Sequence, residues 1–133
     1  MSSEYHVPED LRYTRTHEWV RIEASGLITV GITDYAQKQL HDIVAVELPS
    51  VGTAVERGAV VATLESVKAT ADVYAPVSGI VEEVNSELDM SPERINEDPY
   101  GSGWLFKLRP KDPSEVSSLL DATSYRKLLE SES

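Results

Sequence analysis

Lys68 is the residue in this sequence whose surroundings suit it to chemistry that an ordinary surface lysine does not perform. Between Gly58 and Asn85, in GAVVATLESVKATADVYAPVSGIVEEVN, Val60, Ala62 and Leu64 alternate up to Glu65-Ser66. Ala71, Val73 and Ala75 alternate away from Thr70. Two period-two runs of this kind read as the facing strands of a hairpin, with Lys68 in their connection. Gly58 stands ten residues before the lysine and Gly79 eleven after it, so two similar halves meet there. A primary amine on a four-carbon stem at such a tip is open to a modifying enzyme, and a group joined to it would swing freely. A tethered group also meets successive partner sites at roughly millimolar effective concentration. Val67, Ala69 and Ala71 are small or compact, which leaves room for a ligase to grip the hairpin. The plain alternative is a solvated charge in a turn, and the lysine alone does not separate the two.

Other chemistries find less support. The chain has no cysteine, which excludes disulfides, thiolate metal sites and a cysteine nucleophile. The histidines are His6, His17 and His41. His17-Glu18 would open a zinc-binding HExxH helix only with a histidine at position 21, where Arg21 stands, and the pattern around it is strand, so no metal site is expected. A hydrolase built on His17, Glu18 or Asp34 would need polar groups converging on a pocket, and no spacing announces one. Asp plus Glu outnumber Lys plus Arg by 23 to 12, and a net charge of −11 repels nucleic-acid backbones and anionic lipid. The same acidity favours a soluble monomer.

The elements that must position Lys68 are mostly short strands. Val20 and Ile22 alternate with Trp19, Arg21 and Glu23, and Ile28, Val30 and Ile32 with Leu27, Thr29 and Gly31, across a three-residue link Ala24-Ser25-Gly26. A hydroxyl or carboxylate cap at Thr33-Asp34, followed by Ala36 and Leu40, predicts a short helix. Further strands are expected at 43–48, 60–65, 71–74, 79–84 and 104–108. Pro49, Gly52, Gly58, Pro76 and Gly79 punctuate them, where turns need a fixed φ or a tolerated positive one. Ser91-Pro92 opens a possible helical turn, and NEDPYGSG from Asn96 to Gly103 reads as a wrapped loop. Asp112-Pro113-Ser114-Glu115 sets a cap, a first-turn proline and a capping-box glutamate in order. Val116, Leu119 and Leu120 then form one apolar stripe, and Tyr125, Leu128 and Leu129 another beyond a break at Asp121. The expectation is one domain over 1–133, with an N-terminal extension at 1–12 and helices at 112–130 packed on the sheets. With 133 residues there is room for one modest core. The opening MSSEYHVPED has neither the apolar core of a signal peptide nor an arginine-rich amphipathic pattern. No stretch approaches a membrane span. The chain reads as cytoplasmic and complete; a mature organellar-matrix form without its transit peptide would look the same.

Glu65-Ser66-Val67-Lys68-Ala69-Thr70-Ala71-Asp72, followed by Tyr74-Ala75-Pro76-Val77-Ser78-Gly79, resembles the lipoylation hairpin of glycine cleavage H proteins. His17-Glu18-Trp19-Val20, Val30 to Gln37 (VGITDYAQ), Val46-Glu47-Leu48-Pro49, Asn96 to Gly101 (NEDPYG) and Gly103-Trp104-Leu105 are similar to blocks of that family in the same order. The resemblance runs from about Tyr13 to about Leu129 and is more specific than the hairpin alone. Lipoyl domains of 2-oxo-acid dehydrogenases and biotin carriers share only that hairpin, and a biotin carrier would show methionine on both sides of the lysine, where this chain has Val67 and Ala69.

The resemblance implies a mainly β fold, a flattened β-sandwich of the lipoyl/biotinyl (barrel-sandwich hybrid) type with short helices, including C-terminal ones. It implies lipoate joined covalently to Lys68 in a carrier that is not itself an enzyme. The implied partners are the pyridoxal-phosphate-dependent glycine decarboxylase (P protein), the tetrahydrofolate-dependent aminomethyltransferase (T protein), dihydrolipoyl dehydrogenase (L protein) and a lipoate-attaching enzyme. It also implies that the loaded arm rests in a surface cleft near Glu18 and Asp72. Because the aminomethyl arm is cationic and open to hydrolysis, a carboxylate and exclusion of water would suit it. Two alternatives remain at this point: a lipoyl module serving other complexes, which shares the attachment chemistry, and an unmodified interaction module.

Overall fold

A computed structural model describes residues 5–132. In chain order its strands are β1 (Arg12–Tyr13), β2 (Glu18–Ile22), β3 (Ile28–Ile32), β4 (Ile43–Glu47), β5 (Ala54–Val55), β6 (Val60–Ser66), β7 (Thr70–Tyr74), β8 (Gly79–Val84) and β9 (Phe106–Pro110). The helices are α1 (Asp34–Leu40), α2 (Arg94–Glu97), α3 (Ser114–Ser117) and α4 (Ala122–Glu132), with a 3-10 turn at Ser86–Asp89. A six-stranded sheet in the order β1-β2-β3-β9-β8-β5 lies against a three-stranded sheet in the order β4-β6-β7, all pairings antiparallel. The result is the mainly β, open sandwich with short helices expected from the sequence.

The hairpin of β2 and β3 forms as its alternation predicts, with Gly26 at φ 94° in the link. Both of its faces are covered, however: Trp19 and Val20 are equally buried, and every residue of β3 is buried. Val20, Val30 and Ile32 point into the core between the sheets with Ile43, Leu64, Val73 and Phe106. Trp19 points the other way, into a second cluster with Tyr13, Val7, Leu11, Tyr125 and Leu129, so α4 and the N-terminal segment cover what would have been a solvent face. Tyr13 and Tyr125 stack there with centroids 4.6 Å apart. Removing an aromatic ring from such a site costs about 3–5 kcal/mol, a large part of the stability of a small protein.

Local signals hold where they are chemical. Thr33 caps α1 by accepting a hydrogen bond from the Ala36 amide, so the hydroxyl rather than Asp34 is the cap. Asp121 ends the first C-terminal stripe and accepts from the Ser124 amide at the start of α4. Four expectations are corrected. β9 starts two residues later than predicted and includes Pro110. Asn96 and Glu97 close helix α2 rather than opening a loop, because the Glu93 carbonyl accepts from both their amides. Asp112 does bond the Ser114 amide and hydroxyl, but the Glu115 carboxylate accepts from the Ser78 amide across the molecule, so no capping box closes. Gly52 and Gly58 take positive φ, whereas Gly79 does not; it is needed because a Cβ there would lie 2.4 Å from the Arg109 carbonyl oxygen on β9.

Candidate functional site

β6 and β7 pair in register from Val60↔Tyr74 to Glu65↔Thr70, shifting once between Val60 and Ala62, and Ser66 to Ala69 make the tip. Neither Val67 nor Lys68 takes positive φ, so this is not one of the primed turns common in two-residue hairpins. Ser66 closes the turn instead. Its amide donates to the Ala69 carbonyl at 2.7 Å, its hydroxyl donates to the same carbonyl at 3.1 Å, and that hydroxyl accepts from the Ala69 amide at 3.1 Å. The Val67 amide donates to the Asp42 carbonyl just before β4, which ties the tip to the neighbouring strand. Ser66 is buried while Val67 and Lys68 are exposed, so a fixed base presents a free amine. The sequence motif assigns Ser66 no role; a serine hydroxyl able to close a tight turn is the local signal for one.

Glu18 is only 1% exposed, which rules out the ordinary solvated carboxylate. Thr14 and Thr16 donate their hydroxyls to Oε1, and the Tyr74 amide donates to Oε2 at 3.1 Å. Burial pushes its pKa up, while the three donors pull the other way; burial prevails. The carboxylate therefore clasps the end of β7, an edge strand of the small sheet, to the turn between β1 and β2. Threonines at 14 and 16 stand at alternate positions before Glu18, a spacing visible in the sequence.

Asp72 lies in the middle of β7, exposed, with the Thr63 hydroxyl at 3.5 Å. It and Glu18 border one cleft of about 200 Å³, together with Thr16, His17, Tyr35 and Leu64. Asp72 stands four residues after Lys68, so the chain allows at most about 14 Å between their Cα atoms. A larger cavity, about 500 Å³ between β5 and the end of β9, contains none of these groups.

His17 has a setting that the sequence did not disclose. It takes φ 73° in the turn before β2. Its Nδ1 lies 2.8 Å from the Tyr125 hydroxyl and its Nε2 2.9 Å from Glu132 Oε1, both on α4. These partners are more than a hundred residues away, beyond any local pattern. Among the described residues no cluster of three His, Cys, Asp or Glu could hold a metal ion. No helix among them is long and apolar enough to cross a membrane.

Residues 11–132 match the family described as Glycine cleavage H-protein. The glycine cleavage system H protein of Halorhodospira halophila is 54% identical over 126 residues, covering 95% of this chain and 97% of its own length. That of Thermus thermophilus is 53% identical over 126 residues, covering 95% and 98%. The crystal structure of a glycine cleavage system H protein from Mycobacterium marinum superposes with a TM-score of 0.85 at 39% identity, covering 93% of this chain and 99% of that one. The fold, the hairpin and these likenesses together show that the chain belongs to the glycine cleavage H-protein family.

Proposed function

We propose that this chain is the non-catalytic lipoyl carrier of a glycine cleavage system, a single carrier domain with lipoate in amide linkage to Lys68. When bound, the lipoyl group supplies a disulfide that accepts the aminomethyl group of glycine from the decarboxylase, presents it to the aminomethyltransferase and is then reoxidised by dihydrolipoyl dehydrogenase. The observation that carries this reading is the tip itself: an exposed lysine on a turn whose base is fixed by the Ser66 hydroxyl and by the bond to Asp42. Such a base is suited to a ligase that must recognise one lysine among several, and it keeps the sweep of the arm within the length of the arm. Family membership supports the choice of glycine cleavage over other lipoyl-dependent systems.

The cleft beside β7 fits as the resting place of the arm. The buried Leu64 gives it an apolar wall, and Asp72 offers an exposed carboxylate to a cation. Glu18 contributes differently from Asp72: with its oxygens occupied by Thr14, Thr16 and Tyr74, it fixes the cleft wall. In the cell the lipoyl-attaching enzyme and the three partner enzymes are the expected contacts, in the cytoplasm or an organellar matrix.

The deciding experiment is Lys68→Arg. Guanidinium keeps the charge but cannot form the lipoyl amide. The variant should melt with the wild type, gain no lipoyl mass from a lipoate ligase, and support no glycine decarboxylation. Decarboxylation by the arginine variant would exclude Lys68 as the attachment point.

A further inference from the structure

His17 stands where three pieces of the molecule meet. Its ring lies 4.6 Å from that of Tyr35 on α1, its carbonyl accepts from the Thr33 amide at 3.0 Å, and both ring nitrogens engage α4. The Tyr125 hydroxyl, besides meeting His17, lies 2.7 Å from the Thr33 hydroxyl, the group that caps α1. Thr33, Tyr125 and the ring of His17 thus form a continuous chain from the buried cap to Glu132.

Donor and acceptor counting fixes the direction of that chain. An ionised Glu132 only accepts, so His17 Nε2 must carry a proton. In neutral histidine Nδ1 is then an acceptor, and the Tyr125 hydroxyl donates to it. The Tyr125 oxygen in turn accepts the Thr33 proton, while Thr33 Oγ1 accepts from the Ala36 amide. Every group is satisfied. Burial raises the Tyr125 pKa well above the usual phenol range, so its proton stays available. Protonating His17 turns Nδ1 into a donor. Tyr125 must then donate toward Thr33, and the Thr33 proton, on a residue with no exposed surface, loses its acceptor.

We propose that His17 is a positioning residue for the docked arm: its neutral form holds the α1 wall of the cleft through Thr33, Tyr125 and Glu132, and its protonation reverses that chain and loosens the wall. This rests on the arm resting in the cleft of Glu18 and Asp72. The charged and titratable groups around His17 are Tyr125 and Glu132 on α4, Tyr35 on α1, Glu18 beside it in β2 and Asp72 across the cleft. On α1, Asp34 and Lys38 pair with each other. Glu132 gains attraction when the imidazole is charged, but at the outer end of the chain, away from the cap.

Two variants and two readouts test it. Tyr125→Phe keeps the stack on Tyr13 and removes the middle of the chain; His17→Asn keeps a residue tolerant of positive φ and removes both ring bonds. In the unmodified protein, nitrogen NMR of His17 at about pH 8 should show the proton on Nε2. The amide-exchange protection factor of Ala36 should fall about threefold between about pH 8 and about pH 5.5, and should stay level in both variants. In the lipoylated, loaded protein, the lifetime of the loaded arm is divided at each pH by that of free loaded lipoamide; this ratio should fall about threefold in the wild type and stay level in the variants. A proton on Nδ1 at alkaline pH, or parallel pH profiles in wild type and variants, overturns the role of His17. A ratio of one at every pH overturns the docking reading itself, while Ala36 and the NMR still decide whether His17 controls the cap.

Discussion

Glu18 shows how a residue can be identified from sequence while its action is not. The family motif singles it out, but its burial and its three donors decide what it does. Because burial leaves its pKa raised in the folded chain, its stabilising effect is fully present below the ordinary glutamate range and is lost as pH rises through the folded value. Glu18→Gln does not titrate, so thermal melting of the two proteins from about pH 4 to about pH 7 should shift steadily in favour of glutamine. The amide can also keep most of the contacts, with its oxygen on the Tyr74 amide and its NH2 group on threonine hydroxyls that rotate to accept. Glu18→Ala removes every acceptor and should cost about 2–4 kcal/mol in urea unfolding, most of it from the unsatisfied buried amide and hydroxyls. A melting difference independent of pH would mean that Glu18 does not change its proton affinity on folding.

At the scale of elements, the β6–β7 hairpin is legible because its information is local: alternation at period two and glycines near its ends. Gly79 shows where local reading stops. A glycine at a strand start suggests positive φ, yet the demand comes from β9, a strand far along the chain whose Arg109 carbonyl occupies the space of a Cβ. Gly79→Ala should therefore cost about 1–3 kcal/mol, as overpacking does, even though its backbone conformation suits any residue. An unchanged urea midpoint would show that β8 and β9 separate freely at that end. β1 and β5 escaped the sequence reading for another reason: two residues each are too short to show a period, and only their partners β2 and β8 define them. Likewise, Thr14, Thr16 and Glu18 could have been grouped by spacing, while His17 and Tyr125 meet only because the fold brings α4 back across the first sheet.

Over the whole molecule, the net charge of −11 opposes compaction, and the resulting repulsion should respond to salt. At about 10 mM salt the screening length is about 30 Å and at about 0.15 M it is about 8 Å, so added salt silences repulsion between distant carboxylates. Surface pairs such as Arg109 with Glu82 are also screened, but exposed pairs contribute only about 0–1 kcal/mol each. The melting temperature should thus rise with salt over this range, by roughly 4 °C if the net gain is about 1 kcal/mol, and a fall would mean that the ion pairs outweigh the global field. The free edge at β7 has a different consequence at this scale. An open strand beside the candidate site is a template on which another chain could add a strand. The Glu18 carboxyl group already holds the Tyr74 amide, one of the groups such a strand would need, and its oxygen fills the place where a foreign carbonyl would have to sit. The clasp that steadies the Lys68 hairpin therefore also obstructs edge-to-edge pairing at the end of β7, while the rest of that edge stays open.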